Sequence, residues 1–250
     1  MIDILFSAFL LSLVLLGIHS YFGLEIIKRG IIFTDLAIGQ MAALGAATSV
    51  LFLDGKFLYP VSLGFALLAA LLNSLAARHE KHLEAFIGLL YAFGVSGVFI
   101  LLSKSPHGME EFQHLLAADI LFTPMEKILQ VAALYLVLGL FLMFIQKKTQ
   151  GFVKDFLFFA TFAFTVTSSV QLAGVLVVFA LLIGPTFIAL KVKKNGKKLI
   201  FIAWAIGMII NLIAIVASYQ FDLPTGYTIV LSHALTAIIL SFFSYLFEKR

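Results

Sequence analysis

The chain has 250 residues, 62% of them hydrophobic and only 12% charged, where a soluble domain carries roughly 25% charged residues. A mean hydropathy of +1.10 excludes a soluble globular enzyme and makes this a polytopic membrane protein. Seventeen Lys and Arg against thirteen Asp and Glu leave +4, an excess expected in cytoplasmic loops rather than on a nucleic-acid surface, and the absence of cysteine excludes disulfides and thiolate metal ligands.

Apolar runs of about 20 residues predict helices over 4–27, 31–53, 58–77, 84–103, 127–146, 153–172, 174–190, 199–217 and 226–247. The first imitates a signal peptide from Ile4 to Ile18. Asp3 stands where a basic n-region belongs, however, no A-x-A site follows, and the run continues to Lys28-Arg29, so it reads as a transmembrane helix. The second is rich in small residues (Ala37, Gly39, Ala42, Ala43, Gly45, Ala46, Ala47), which lipid does not require and close helix packing does. It is expected inside the bundle or at a dimer seam. Gly88, Gly94 and Gly97 suggest close packing for the fourth helix too.

The connector 104–126 holds His107, Glu110, Glu111, His114 and Asp119. Glu110 and His114 share a face if this stretch is helical, and carboxylate plus imidazole suits Zn²⁺ or Mn²⁺. A charged external loop is more often a solvated face. No linker, second domain or internal repeat appears, so residues 1–250 read as a single transmembrane domain.

The stretch 153–190 carries no charge after Asp155, and the distribution of basic residues decides how often it crosses. With the N-terminus outside, two crossings put 14 basic residues inside and 3 outside, whereas one crossing puts 7 inside and 10 outside. The positive-inside rule prefers the former. The expected fold is an all-α transmembrane bundle of nine helices, N-out and C-in, with eight helices as the alternative.

Ionisable and polar residues at membrane depth are functional candidates. They are His19 in the first helix, Asp35 and Gln40 in the second, Asn73 in the third, Asn211 in the eighth and His233 in the ninth. Thr165, Thr167, Ser168, Ser169 and Gln171 cluster before the proposed turn at Gln171–Gly174. Each has a plainer reading beside the functional one. Asp35 suits a helix N-terminus. Gln40, His19, His233 and the asparagines can bind neighbouring helices. There is no G-x-x-x-x-G-K-[ST] loop and no H-E-x-x-H. His79-Glu80-Lys81-His82 has the wrong spacing for a zinc pair and reads as a solvated turn. If ATP drives this protein, a partner supplies it.

Several strings, in order along most of the chain, resemble the ABC-3 family of metal-ion ABC transporter permeases. They are Ile27-Lys28-Arg29-Gly30-Ile31-Ile32-Phe33, Glu84-Ala85-Phe86-Ile87-Gly88, the run from Ala173 through Gly184-Pro185, and Asp222-Leu223-Pro224-Thr225-Gly226 continuing to Val230. The resemblance implies a homodimeric permease in a bacterial inner membrane. A cytoplasmic ABC ATPase dimer would drive it with ATP. An external binding protein would deliver Zn²⁺, Mn²⁺ or Fe²⁺, and no cofactor would be bound in this chain.

Two departures stand out. Where the family carries an Asp/His pair four apart, this chain has Leu36 and Gln40. Asp35 is adjacent but about 100° round the helix. A divergent branch with an L-A-x-x-Q-like segment is similar here. The expected translocation pathway is therefore His19, Asp35 and Gln40, with His19 replacing the lost imidazole. The family's F-D-P-E-like cytoplasmic stretch is also missing. Its place is taken by a segment whose Lys148, Gln150, Phe152, Lys154 and Asp155 are the expected ATPase contacts, unless it is a basic loop held by anionic lipid. Two alternatives remain: a permease for a chelate such as haem or cobalamin, and an intramembrane metalloenzyme using His19, Asp35 and His233, which would need three converging ligands.

Overall fold

A computed structural model of the chain describes residues 2–79, 82–104, 110, 120–193 and 198–248. Among the described residues every regular element is helical: α1 (Ile2–Arg29), α2 (Thr34–Leu53), α3 (Leu58–His79), α4 (Leu83–Leu102), a single 3₁₀ turn (Ile120–Phe122), α5 (Met125–Lys148), α6 (Gly151–Ala173), α7 (Val175–Val192), α8 (Leu199–Phe221) and α9 (Thr225–Glu248). These nine α-helices are long and apolar enough to cross a membrane. Helices are the expected solution, because lipid offers no partner to backbone N–H and C=O groups.

The helix ends follow local chemistry. Gly30, at φ 68°, turns the chain after α1. Thr34 then bonds Ile31 O through both its N–H and its hydroxyl, so α2 begins at Thr34 rather than at residue 31. Asp54 and Asp222 close α2 and α8 in the left-handed conformation, their N–H groups donating to Ser49 O and Ser218 O. The expected turn over Gln171–Gly174 is shorter than predicted. Helix α6 runs on to Ala173, and Gly174 alone, at φ 81° and ψ 158°, separates it from α7. That backbone region is open essentially only to glycine. Two separate helices therefore occupy the long uncharged stretch, as two crossings require.

The chain divides into two compact units. The first comprises Met1–Arg29, Asp119–Ala133 and Leu172–Arg250. In it α1, α7, α8 and α9 pack on one another. A Cβ on Gly23 of α1 would run into the carbonyl of Leu182, and one on Gly207 of α8 would lie 2.5 Å from Leu16 Cδ1. Leu24, Ala189, Leu199 and Ala203 form an apolar cluster where α1 and α7 end and α8 begins.

The second unit comprises Gly30–Ala118 and Leu134–Gln171, and in it α2 packs against both α3 and α4. A Cβ on Gly45 would lie 2.7 Å from Val61 O, and one on Gly97 would lie 2.9 Å from Leu44 Cδ1. Helix α2 is thus interior, with 61% of its span residues buried against 28% for α4. Gly88 meets nothing within 4 Å, so its expected packing role does not hold. Phe33 N–H donates to Glu84 Oε1 at 3.3 Å, which sets the starts of α2 and α4 side by side. Arg78 at the end of α3 meets Phe152 at the start of α6. Both contacts are those of helices that alternate in direction.

Candidate functional site

The second unit buries polar groups that its own helices do not satisfy. Gln40 stands six residues into α2, about 9 Å along its axis. It lies where α4 comes closest: a Cβ on Gly94 would be 2.9 Å from Gln40 Cβ and 3.0 Å from its carbonyl carbon. Gln40 is 7% exposed, and its Oε1 has no hydrogen-bond partner among the described residues. Asp35 is 2% exposed, in the first turn of α2, and its Oδ1 is also unpartnered. Asn73 of α3, with both amide atoms, and the hydroxyls of Ser62 and Thr167 complete the set with Glu84 Oε2. Native structures pair the great majority of such groups, so orphaned ones point to a ligand or to function. All but the Asn73 nitrogen are oxygens.

Nearby hydroxyls are satisfied. Tyr135 of α5 lies 2.5 Å from Ser169 Oγ and 3.0 Å from Ser168 Oγ, and its O–H also reaches Thr165 O at 3.3 Å. The clustered Thr and Ser residues of α6 thus serve largely to hold α5. Tyr135 was not singled out in the sequence, although a tyrosine inside an apolar helix needs a hydroxyl partner. Thr167 is the cluster member without one, and Gln171 is exposed.

The first unit holds both intramembrane histidines. His19 is fully buried, and its Nδ1 lies 2.7 Å from Leu15 O one turn back. A carbonyl only accepts, so Nδ1 carries the proton. His19 therefore belongs to one unit, and Asp35 and Gln40 to the other. His233 Nε2 lies 2.8 Å from Asn211 Oδ1, both residues being fully buried. Oδ1 is an acceptor, so Nε2 donates, and His233 Nδ1 and Asn211 Nδ2 have no partner among the described residues. The His233 ring packs on α7, where a Cβ on Gly184 would lie 2.9 Å from His233 Cβ and 3.0 Å from Nδ1. The helical-glue reading expected for this pair holds.

No group of three or more His, Asp or Glu able to hold a metal occurs among the described residues. The three ligands an intramembrane metalloenzyme needs are not assembled there. In the connector, His107, Glu111, His114 and Asp119 lie outside the described residues, as do Glu80 and Lys81 of the predicted turn.

The expected ATPase-contact segment is almost entirely helical. Helix α5 continues through Lys148, only Thr149 and Gln150 intervene, and α6 starts at Gly151. Lys148 Nζ lies 4.5 Å from the ring centroid of Phe144 on its own helix. Phe152 stacks on Phe156 with centroids 6.1 Å apart. Lys148, Gln150 and Val153 are exposed, while Phe152, Lys154 and Asp155 are half-buried.

Nine membrane-length helices among the described residues, with amide, carboxyl and hydroxyl groups buried between them, define a polytopic membrane protein with a polar interior. Polar groups held at membrane depth are candidates for a substrate or ion pathway. A model of the ABC 3 transport family matches residues 1–244, and the chain belongs to that family. It is the membrane permease of an ABC transporter, a transport subunit and not an enzyme.

Among its relatives, a "Probable iron transport system membrane protein" of Haemophilus influenzae is 24% identical over 171 residues. The match takes in 62% of this chain and 63% of that protein, just under two thirds of its length. The fold is similar to that of PsaBC from Streptococcus pneumoniae, solved with a Fab, at a TM-score of 0.72 and 20% identity over 94% of this chain and 89% of the other. It is also similar to a transporter described as of the metal-chelate type, in an inward-facing conformation. There the TM-score is 0.70 and the identity 16%, over 94% of this chain and 84% of the other.

Proposed function

We propose that this permease imports a divalent metal ion, with Fe²⁺ or Mn²⁺ preferred to Zn²⁺. The observation that carries the reading is the set of orphaned buried oxygens in the second unit: Gln40 Oε1, Asp35 Oδ1, Asn73 Oδ1 and the hydroxyls of Ser62 and Thr167. Carboxylate and carbonyl oxygens suit Mn²⁺, Zn²⁺ favours imidazole and thiolate, and Fe²⁺ takes oxygen and nitrogen ligands together. The iron-transport name of the Haemophilus influenzae relative supports the same substrate class.

Gln40 and Asp35 are assigned to the pathway on their burial and open valence, and His19 on its chemistry alone. A cytoplasmic ATPase dimer supplies ATP hydrolysis and contacts Lys148, Gln150, Phe152, Lys154 and Asp155. Two permease copies make the working unit, and an external binding protein delivers the ion. The chain sits N-out and C-in in a bacterial inner membrane, the orientation that places 14 of its basic residues inside. Closure of the ATPases switches the permease between outward and inward access. A partly dehydrated cation then exchanges water for the interior oxygens.

Gln40→Leu keeps the volume and removes the amide. It is expected to lower uptake of ⁵⁵Fe²⁺ or ⁵⁴Mn²⁺ into proteoliposomes at least about tenfold, a loss of some 1.4 kcal/mol or more, with insertion intact. Gln40→His, which restores an imidazole, is expected to shift competition toward Zn²⁺. Full ion uptake by Gln40→Leu would remove this residue from the pathway. A chelate substrate such as haem is the competing reading, and it predicts no free-ion uptake by the unaltered chain either.

A further inference from the structure

The end of α3 grips the start of α6. Arg78 is exposed, and its guanidinium carbon lies 5.6 Å from the centroid of the Phe152 ring, within the range of a cation–π contact. One of its terminal nitrogens occupies the space that a side chain on the preceding residue would fill: a Cβ on Gly151 would lie 2.6 Å from Arg78 Nη2. Gly151 has φ 60°, a backbone conformation that favours glycine. Phe152 in turn stacks on Phe156, one turn further along α6. The contact sets two sequence-distant ends, 78 and 151–156, into one block within the second unit. Helix α3 carries Ser62 and Asn73, two of the orphaned polar residues, and packs on α2, which carries Gln40.

We propose that Arg78 is a positioning residue for energy coupling. It clasps the first turn of α6, so that movement imposed on 148–155 is passed to α3 rather than lost in the two-residue connector. This rests on the reading that 148–155 receives the ATPase. The clasp needs a cation over the ring, and Arg78 supplies it. Without it the ATPase still binds, but less of its motion reaches the transmembrane helices.

The test uses the full permease with its ATPase subunit in proteoliposomes, measuring ATP hydrolysed per ion moved. Arg78→Ala is expected to raise that ratio about two- to fivefold, the scale of an exposed cation–π contact, with ATPase association retained. Arg78→Lys, which keeps the charge, recovers most of the loss. Phe152→Leu is expected to raise the ratio at least as much, since Phe152 is also one of the expected ATPase contacts, and the double variant is no worse than Phe152→Leu alone. An unaltered ratio in Arg78→Ala, or strictly additive losses in the double variant, would overturn the proposal.

Because the chain has no cysteine, a second route is open if Arg78→Ala does not insert. The pair Arg78→Cys with Phe152→Cys, closed by a short crosslinker, is expected to couple at least as tightly as the same pair left open. Loss of transport on closure, reversed by cleaving the linker, would overturn the clasp. Val153→Glu with Lys154→Glu separates the two readings. If these abolish ATPase association while Arg78→Ala is silent, the clasp alone fails. If they leave association intact, the docking reading fails and the clasp's target with it.

Discussion

Gln40 stands where two helices meet most closely through their backbones. Its backbone is the surface on which α4 closes, because Gly94 leaves no side chain between them. Gly94→Ala would force α2 and α4 apart, a cost of about 1–3 kcal/mol, read as a lowered melting temperature in detergent. Gly88→Ala, at a site with nothing within 4 Å, is expected to be neutral or slightly stabilising. Equal behaviour of the two would contradict the α2–α4 contact. The His233–Asn211 pair gives a second residue-scale expectation. His233→Leu or Asn211→Leu alone strands a buried partner and destabilises by about 1 kcal/mol. The double variant is expected nearer to the unaltered protein than either single in a double-mutant thermal series.

Much at this scale was readable beforehand, and some was not. Small residues on α2 announced an interior helix, because close approach needs missing side chains. The same logic misled at Gly88, since a glycine with open space beside it looks identical in sequence. Polar residues at depth pointed to His233 and Asn211, but their pairing spans 22 positions and depends on how α8 and α9 register. Arg78 and Tyr135 act through partners on other helices, which no local pattern reports.

Among the elements, the break between α6 and α7 carries the topology. Composition could not reveal it, because the stretch is apolar throughout, but the balance of basic residues around it could. Its physical cause is one residue, Gly174, in a conformation that other residues reach only with strain. The late start of α2, at residue 34 rather than 31, comes from the turn that Thr34 builds on Ile31 O. Substituted cysteines in this cysteine-free chain test the crossing. Gln171→Cys is expected to react with impermeant thiol reagents from outside, and Gln150→Cys only after the inner face is opened. Protection of position 171 from both sides would place it mid-membrane and support a single crossing instead.

As a whole molecule, the chain is an ABC 3 family permease whose nine membrane-length helices, among the described residues, are shared between two compact units. The first unit pairs its buried His233 with Asn211. The second keeps a set of orphaned oxygens around an interior helix. Family membership and fold were legible from ordered strings and composition. The replacement of the Asp/His pair by Leu36 and Gln40 was legible too, but its meaning required the interior to be seen. Burial and unpartnered oxygens, not residue type, single out Gln40 and Asp35 for the proposed pathway. Multi-element mass spectrometry of metal-starved cells, with and without this gene, tests the import reading. A selective fall in iron or manganese on deletion, restored by the unaltered gene and not by Gln40→Leu, is the predicted result. An unchanged metal profile, or full restoration by Gln40→Leu, would contradict it.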